Sequence, residues 1–123
     1  MTWFAAHIVI GMKRIDDVGP VSVYENVILI EAKDAKEAHL LAAKIGENEA
    51  QIDDGLTIDD SPAKKIFAGI RKIITVSNPD PYDLDQDQPT TGTEITYSEF
   101  EVPNEDALRC FANGETLDVR YLE

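Results

Sequence analysis

The chain has little cysteine, little positive charge and no long apolar run, and each shortage removes a class of protein. Cys110 is the single cysteine among 123 residues, which excludes an internal disulfide and is typical of a reducing compartment, so we expect a cytoplasmic protein. No apolar run approaches the roughly 18 residues of a transmembrane helix. The apolar stretch after Met1 has no preceding positive charge and no small-residue cleavage site, so it predicts a strand and not a signal peptide.

Negative charge, in contrast, is abundant. Asp and Glu together number 24 against 11 Lys and Arg, which leaves a formal net charge of −13. Such a field repels nucleic acids and anionic membrane surfaces, and short basic pairs such as Arg71–Lys72 are too few to reverse it. We therefore expect no nucleic-acid or membrane partner. A basic protein, a cation, or a charge that serves solubility alone all remain open.

Residues 21–50 change from strand periodicity to helix periodicity within a few positions. The segment 21–32 is rich in Val, Ile and Tyr, and Val27–Ile30 is apolar on both faces, which predicts a central strand covered on both sides. Asp34 then has the position of an N-cap, with Glu37 three residues later as in a capping box. Apolar residues recur at helical spacing to Ile45, and Gly46 is either the end of this helix or a weak point within it.

The rest of the chain predicts four further strands and one more helix. We expect strands at 3–15, 64–76, 94–102 and 117–122, and a helix that is capped by Asn104, buries Leu108 and Phe111, and ends at Asn113–Gly114. The order β-β-α-β-β-α-β predicts one α+β domain over residues 1–123. Its sheet would be mainly antiparallel, with about five strands and two helices on one face. The acidic, proline-rich loop at 77–93 is expected to be mobile.

The sheet face opposite the helices is the predicted binding surface. If Phe4, Ile8 and Ile10 pack on the helices, then Trp3 and His7 point away from them. Mixed aromatic and charged groups on an uncovered sheet are typical of a contact surface, although a solvated face with cross-strand ion pairs has the same composition. The candidate binding residues are Trp3, His7, Glu25, Arg71, Tyr97, Glu99 and Arg120.

The sequence predicts no catalytic residue, no cofactor and no metal site. The single cysteine and the two histidines, His7 and His39, form no CxxC, HxH or HExxH motif, and Ser98 lies in no nucleophile-elbow motif. One weak calcium candidate has acidic residues at alternate positions and a glutamate at the twelfth, but Gln88 replaces the glycine that the turn needs. That candidate consists of Asp83, Asp85, Asp87 and Glu94.

Several predicted strands together resemble a known family of small bacterial domains. The matching segments are Trp3–Phe4, YENVILIEA at 24–32, Glu37–Ala38, FAGIRKI at 67–73 and GTEITYSEFEV at 92–102. In these segments the chain resembles the uncharacterised domain-of-unknown-function family 4288. The resemblance implies no activity, cofactor or catalytic residue. It includes Glu25, Arg71 and Glu94 in the recognisable segments and leaves the loop at 80–87 outside them.

Three functional hypotheses follow from this sequence. The leading one is a non-enzymatic, acidic interaction module that binds a protein partner, for example as an immunity-type inhibitor of a basic protein. The second is a small-ligand-binding or enzymatic domain in which Arg71 holds an anionic group and His7 moves a proton on the face near Trp3. The third is a homodimeric structural module, since pairing through this face would also explain why Val27–Ile30 is apolar on both sides.

Overall fold

The computed structural model describes residues 1–16, 19–52, 55–77 and 88–122. The predicted α+β class is confirmed, with two helices and antiparallel strand pairing. The elements are β1 (Thr2–Arg14), β2 (Ser22–Ala32), α1 (Ala35–Gln51), β3 (Thr57–Ile58), β4 (Ser61–Thr75), β5 (Glu99–Glu101), α2 (Glu105–Ala112) and β6 (Arg120–Leu122). No helix in the described part of the chain has the length and apolarity needed to cross a membrane.

The strands form two separate sheets. The larger has four strands in the order β2-β1-β4-β3, and the smaller pairs β5 with β6. In the larger sheet His7 is opposite Val27 on one side and Lys72 on the other. The predicted number of strands is roughly right, but the prediction that they form one sheet is wrong, because the described strands divide into a four-stranded and a two-stranded sheet. Most of the predicted strand 94–102 lies outside regular pairing, apart from a bridge between Glu94 and Ser77 and the short β5.

Helix α1 packs on one face of the larger sheet, which we call the inner face. It begins after Asp34, whose side chain accepts a hydrogen bond from the Glu37 amide at 2.8 Å, as the capping pattern predicts. Its buried residues are Ala38, Ala42 and Gly46. These small residues bring the helix close to the apolar inner-face side chains of Phe4, Ala6, Ile8, Ile10, Ile28, Ile30, Phe67, Ile70 and Ile73. The helix continues through Gly46, which is thus an internal point of close packing.

Two β-bulges in β4 change which of its residues share a face. The pairing with β1 shifts between His7 and Ile8 and again between Val9 and Ile10, so that Arg71 and Ala68 are extra residues. Gly69, between them, has a φ of +149°, which side chains rarely allow. Because of the bulges, Phe67, Ile70 and Ile73 all pack on the core, and strict alternation along β4 does not hold.

The second helix, α2, does not pack beside α1 in the described chain. Within the described chain α2 has no close backbone approach to α1 or to the larger sheet, and its Phe111 packs on Phe100 of β5 with ring centroids 5.2 Å apart. Leu108 and Phe111 are 54% and 41% exposed. The predictions that both helices lie on one face and that these two residues are buried are therefore wrong.

A single helix leaves β2 only partly covered. A helix is about 10 Å across, whereas strands are spaced by about 4.8 Å, so one helix shields roughly two strands. Here α1 lies over β1 and β4 and touches β2 at the side. Strand β2 is at the edge of the sheet, and Val27 and Leu29 are 40% and 43% exposed on the outer face, opposite α1. The prediction that Val27–Ile30 forms a central, doubly covered strand is wrong.

Candidate functional site

His7 is the centre of a polar cluster on the outer face of the sheet. Its side chain is only 2% exposed, although it points away from α1 as predicted. Its Nδ1 is hydrogen-bonded to Oε1 of Glu25, and its Nε2 lies 2.7 Å from Oγ1 of Thr96. Because an ionised carboxylate can only accept, Nδ1 carries a proton and donates it to Glu25. Both ring nitrogens are thus satisfied, as burial of a polar ring requires.

Arg71 holds the same carboxylate from the other side. Its Nε donates to Oε2 of Glu25 at 2.8 Å and its Nη2 donates to Oε1 at 2.6 Å, which is a bidentate ion pair. The hydrogen bonds from Arg71, with a smaller contribution from His7, lower the pKa of Glu25 from 4.5 to about 2, although partial burial acts in the opposite direction. The β-bulge at Arg71 places this residue where its side chain can reach β2 across β1.

The chain after β4 returns over this cluster through three contacts. Thr96 meets His7, and the ammonium of Lys72 donates to the carbonyl oxygen of Tyr97 at 2.8 Å. The Arg71 guanidinium lies 4.5 Å from the centroid of the Tyr121 ring, within cation–π range. The sheet face that the sequence predicts to be uncovered is therefore covered at His7.

Tyr121 carries an unusual hydroxyl. The oxygen is buried and has no hydrogen-bond partner of normal geometry among the described residues. Burial acts to raise the pKa of Tyr121, but the nearby cations Arg71 and Lys72 together outweigh it and lower the pKa below its ordinary value. A shallow, open depression beside this ring is lined by Glu25, Arg71, Ser98, Phe100 and Tyr121.

The structure brings together some of the predicted binding residues and separates others. His7, Glu25 and Arg71 are in direct contact, and Tyr97 joins them through Lys72. Trp3 lies near one end of the sheet, paired with Glu31, while Glu99 and Arg120 belong to the small β5–β6 sheet. Whether any of these residues binds a partner stays a prediction.

Sequence reasoning missed three members of the cluster, namely Thr96, Lys72 and Tyr121. Strict alternation assigned Lys72 to the face opposite Arg71, and only the bulge lets both reach the outer side. Thr96 is 89 positions from its partner His7, and no local pattern signals such a contact. Gly69 is the one local sign of a bulge, because a glycine within a strand pattern often marks such an irregularity, and it lies between the two extra residues of β4.

The open edge of β2 is a second surface. Within the described residues, β1 is the only strand paired with β2, so one side of an 11-residue strand presents its backbone groups for pairing. Exposed apolar side chains accompany this edge, and Val23 is 67% exposed. Natural edge strands are commonly protected by shortness, by proline or by lysine, and β2 has none of these protections.

A groove runs between this edge and helix α1 on the inner face. Two adjoining depressions form it, and both border Asn26 of β2 and Glu49 of α1. One is lined further by Ile28, Ile45 and the bare backbone of Gly46, and the other by residues that include Tyr24 and Met12. We call this feature the edge groove. It lies where α1, which packs over β1 and β4, leaves the inner face of β2 only partly covered.

The described residues offer no group of three or more His, Cys, Asp or Glu side chains that could hold a metal ion. Of the weak calcium candidate, Asp83, Asp85 and Asp87 lie outside the described residues. Glu94 pairs through its backbone with Ser77. The predicted mobile loop at 77–93 likewise falls mainly outside the described ranges.

Comparison with known proteins returned no matching family model, no matching curated protein and no matching solved structure. The resemblance to family 4288 therefore stays a prediction.

Proposed function

We propose that this protein is a non-enzymatic interaction module that binds a protein partner by adding a strand of the partner to the open edge of β2. The observation that carries the proposal is the 11-residue edge strand, paired on one side only within the described chain and rich in exposed apolar side chains. Backbone pairing with an exposed sheet edge is a recurrent mode of peptide recognition, in which hydrogen bonds supply affinity and flanking pockets supply specificity.

The polar cluster on the outer face holds β2 against β1 and β4. Glu25 of β2 is tied to Arg71 of β4 across the intervening β1, with His7 beneath the carboxylate. A strand clamped in this way is preorganised, so a partner would not lose the entropy of ordering it. In this proposal the cluster is a structural brace, and its charges are already satisfied by one another.

Strand addition is tested by capture with matched variants. Val27→Lys places a charge at the edge, whereas Leu108→Lys makes the same kind of change on the exposed face of α2. Tagged wild-type protein and Leu108→Lys should retain the same partner from a native lysate, and Val27→Lys should lose most of it. Equal capture by all three proteins would move the interface away from β2 and contradict the proposal.

A second candidate function rests on the order of groups around His7. The carboxylate of Glu25, the imidazole and the hydroxyl of Thr96 form the sequence of hydrogen bonds that activates a nucleophile in acyl-transfer enzymes. In such a reaction the Thr96 oxygen would form a bond to an acyl carbon, and the bond from that carbon to its leaving group would break. His7 would take the proton of the Thr96 hydroxyl and pass it to the leaving group. The bidentate grip of Arg71 on Glu25 counts against this function, because it diminishes the charge available to stabilise an imidazolium.

This second function makes a chemical prediction that the first does not. If Thr96 is a nucleophile, a fluorophosphonate probe should label the wild-type protein and the Thr96→Ser variant but not Thr96→Ala. Absence of labelling in the folded wild-type protein would remove the candidate.

A further inference from the structure

We propose that the strand bound at β2 alternates apolar and basic residues, with its apolar side chains in the edge groove and its basic side chains on the outer face. This inference rests on the proposed function, and it adds the chemistry of the partner. It follows from the different character of the two faces beside β2, because successive side chains of an added strand must point to opposite faces.

The inner face of the sheet determines which side chains of the added strand are apolar. An added strand would place every second side chain next to Tyr24, Asn26 and Ile28, on the same face of the sheet as α1. There the edge groove presents Ile45, which is 45% exposed, beside Ile28 of β2. Filling the groove removes apolar surface from water on both partners, at about 25 cal/mol for each Å².

The outer face of the sheet determines which side chains of the added strand are basic. Strand β2 contains two glutamates and no Lys or Arg, and its outer-face residues toward the C-terminal end are Val27, Leu29 and Glu31. A Lys or Arg stem can lie over Val27 and Leu29 while its charged end reaches Glu31. Glu25 is already paired with Arg71, so Glu31 is the carboxylate on this strand that an incoming cation can use.

The charge of the whole chain points in the same direction. A net charge of −13 attracts a basic segment and repels a second copy of this acidic chain. Self-pairing of β2 would also bring two copies of that charge together without any basic residue on the paired strands. The occupant that complements this edge is therefore a basic segment of another protein.

The test uses peptides of about nine residues, the length of a long strand, added to the full isotope-labelled chain. The probe alternates Val and Lys. One control alternates Val and Glu, and a second has the composition of the probe but arranges Val and Lys in doublets, so its two faces are mixed. Binding is followed by amide chemical shifts and by protection of β2 amides from exchange. The probe alone should protect β2, and its affinity should fall at high salt.

A matched pair of variants tests whether the basic side chains of the bound strand lie next to Leu29. Leu29→Lys and Leu29→Glu remove the same apolar side chain and differ only in charge, so loss of apolar area cancels between them. We expect the probe to bind Leu29→Lys about fivefold more weakly than Leu29→Glu, in line with the modest strength of exposed ion pairs.

The outcomes distinguish strand addition at β2 from the chemistry of the bound strand. Protection of β2 by the probe alone, with the expected order of the two variants, supports the inference. Equal protection by the Val–Glu peptide retains strand addition as the function and overturns the basic partner. No protection by any peptide in a monomeric protein overturns both. No protection in a protein that proves to be a dimer paired through β2 overturns the inference in favour of a second copy.

Discussion

His7 illustrates how the partners of a residue decide its role. A histidine on the outer face of a strand is often solvated, yet here it is 2% exposed because Glu25 and Thr96 close over both ring nitrogens. Burial of an imidazole without such partners would leave its two ring nitrogens without the hydrogen bonds that they make to water. Through these two hydrogen bonds His7 joins three parts of the chain: β1, β2 and the segment that leads into β5.

Thr96→Val is the most direct test of that connection. The substitution keeps the shape of the side chain and removes the hydroxyl that meets His7 Nε2 at 2.7 Å. We expect the free energy of unfolding to fall by about 1 kcal/mol, because a buried ring nitrogen loses its partner. Urea denaturation of the variant provides the measurement. Thr116→Val, at an exposed position, is the control, and equal loss from both variants would show that the hydroxyl at position 96 contributes nothing specific.

Glu25→Gln tests the ion pair through its dependence on pH. The folded pKa of Glu25 is lowered from 4.5 to about 2, so the ionised carboxylate favours the folded state above pH 4.5. After allowance for solvent exposure, we expect the variant to be less stable than wild type by about 1 kcal/mol at neutral pH. The difference should shrink as the pH falls from 4.5 toward about 2, where wild type takes up the proton.

Glu31→Gln is the matched control for that experiment. Glu31 lies on the same strand and the same face, and it makes no ion pair within the described part of the chain. Because this substitution removes the same charge without breaking an ion pair, its variant should not show the loss of about 1 kcal/mol that we expect for Glu25→Gln at neutral pH. A constant gap between Glu25→Gln and wild type from neutral pH down to pH 2 would contradict the assignment of the low pKa.

At the scale of elements, β4 departs from the two-residue alternation of side chains that is normal in a strand. Its apolar residues Phe67, Ile70 and Ile73 are spaced by three positions and still share the core face, because two bulges each absorb one residue. The same bulges send Arg71 and Lys72, neighbours in sequence, to the outer side. The strand is therefore both a core element and the source of the cations in the cluster.

The contact between α1 and β4 makes Gly46→Ala destabilising. Alanine is the better helix former by about 1 kcal/mol. A Cβ at position 46 would, however, lie 2.5 Å from the Phe67 ring, and this overlap is in the packed core. Overpacking of this kind costs about 1–3 kcal/mol, so we expect a net loss of stability in urea denaturation.

A double variant separates overlap from other effects of Gly46→Ala. Phe67→Leu removes the ring atoms that the new methyl group would meet. If the overlap is the cause, Gly46→Ala combined with Phe67→Leu should be more stable than the sum of the two single losses predicts. Simple additivity, or a single Gly46→Ala variant more stable than wild type, would show that the helix shifts to accept the methyl group.

At the scale of the whole molecule, the dominant feature is charge of one sign. With a net charge of −13 the folded protein repels itself more than the expanded chain does. We expect the melting temperature to rise when NaCl is increased from about 0.02 M to 0.3 M, because salt screens this repulsion. Differential scanning fluorimetry gives the measurement. A melting temperature that falls with salt would mean that ion pairs such as Glu25–Arg71 outweigh the net repulsion.

Much of the fold was predictable from local patterns, and the candidate site only in part. The caps at Asp34 and Asn104 place the starts of both helices, because a cap depends on residues three positions away. His7, Glu25 and Arg71 were predicted to share a face, and they do touch. Thr96 and Tyr121 were not predicted as members of this cluster, since their contacts join distant parts of the chain and no local period signals them.

The sequence by itself determined the α+β class, the negative charge, the two helix starts and the long strands at positions 2–14 and 22–32. These depend on neighbours within about four residues and on composition. Only the tertiary structure decided that β2 is an edge strand, that α2 stands apart from α1, and that His7 is enclosed. Each of these is set by pairing between distant segments, and the same apolar strand satisfies its local pattern equally well at the centre of a sheet or at its edge.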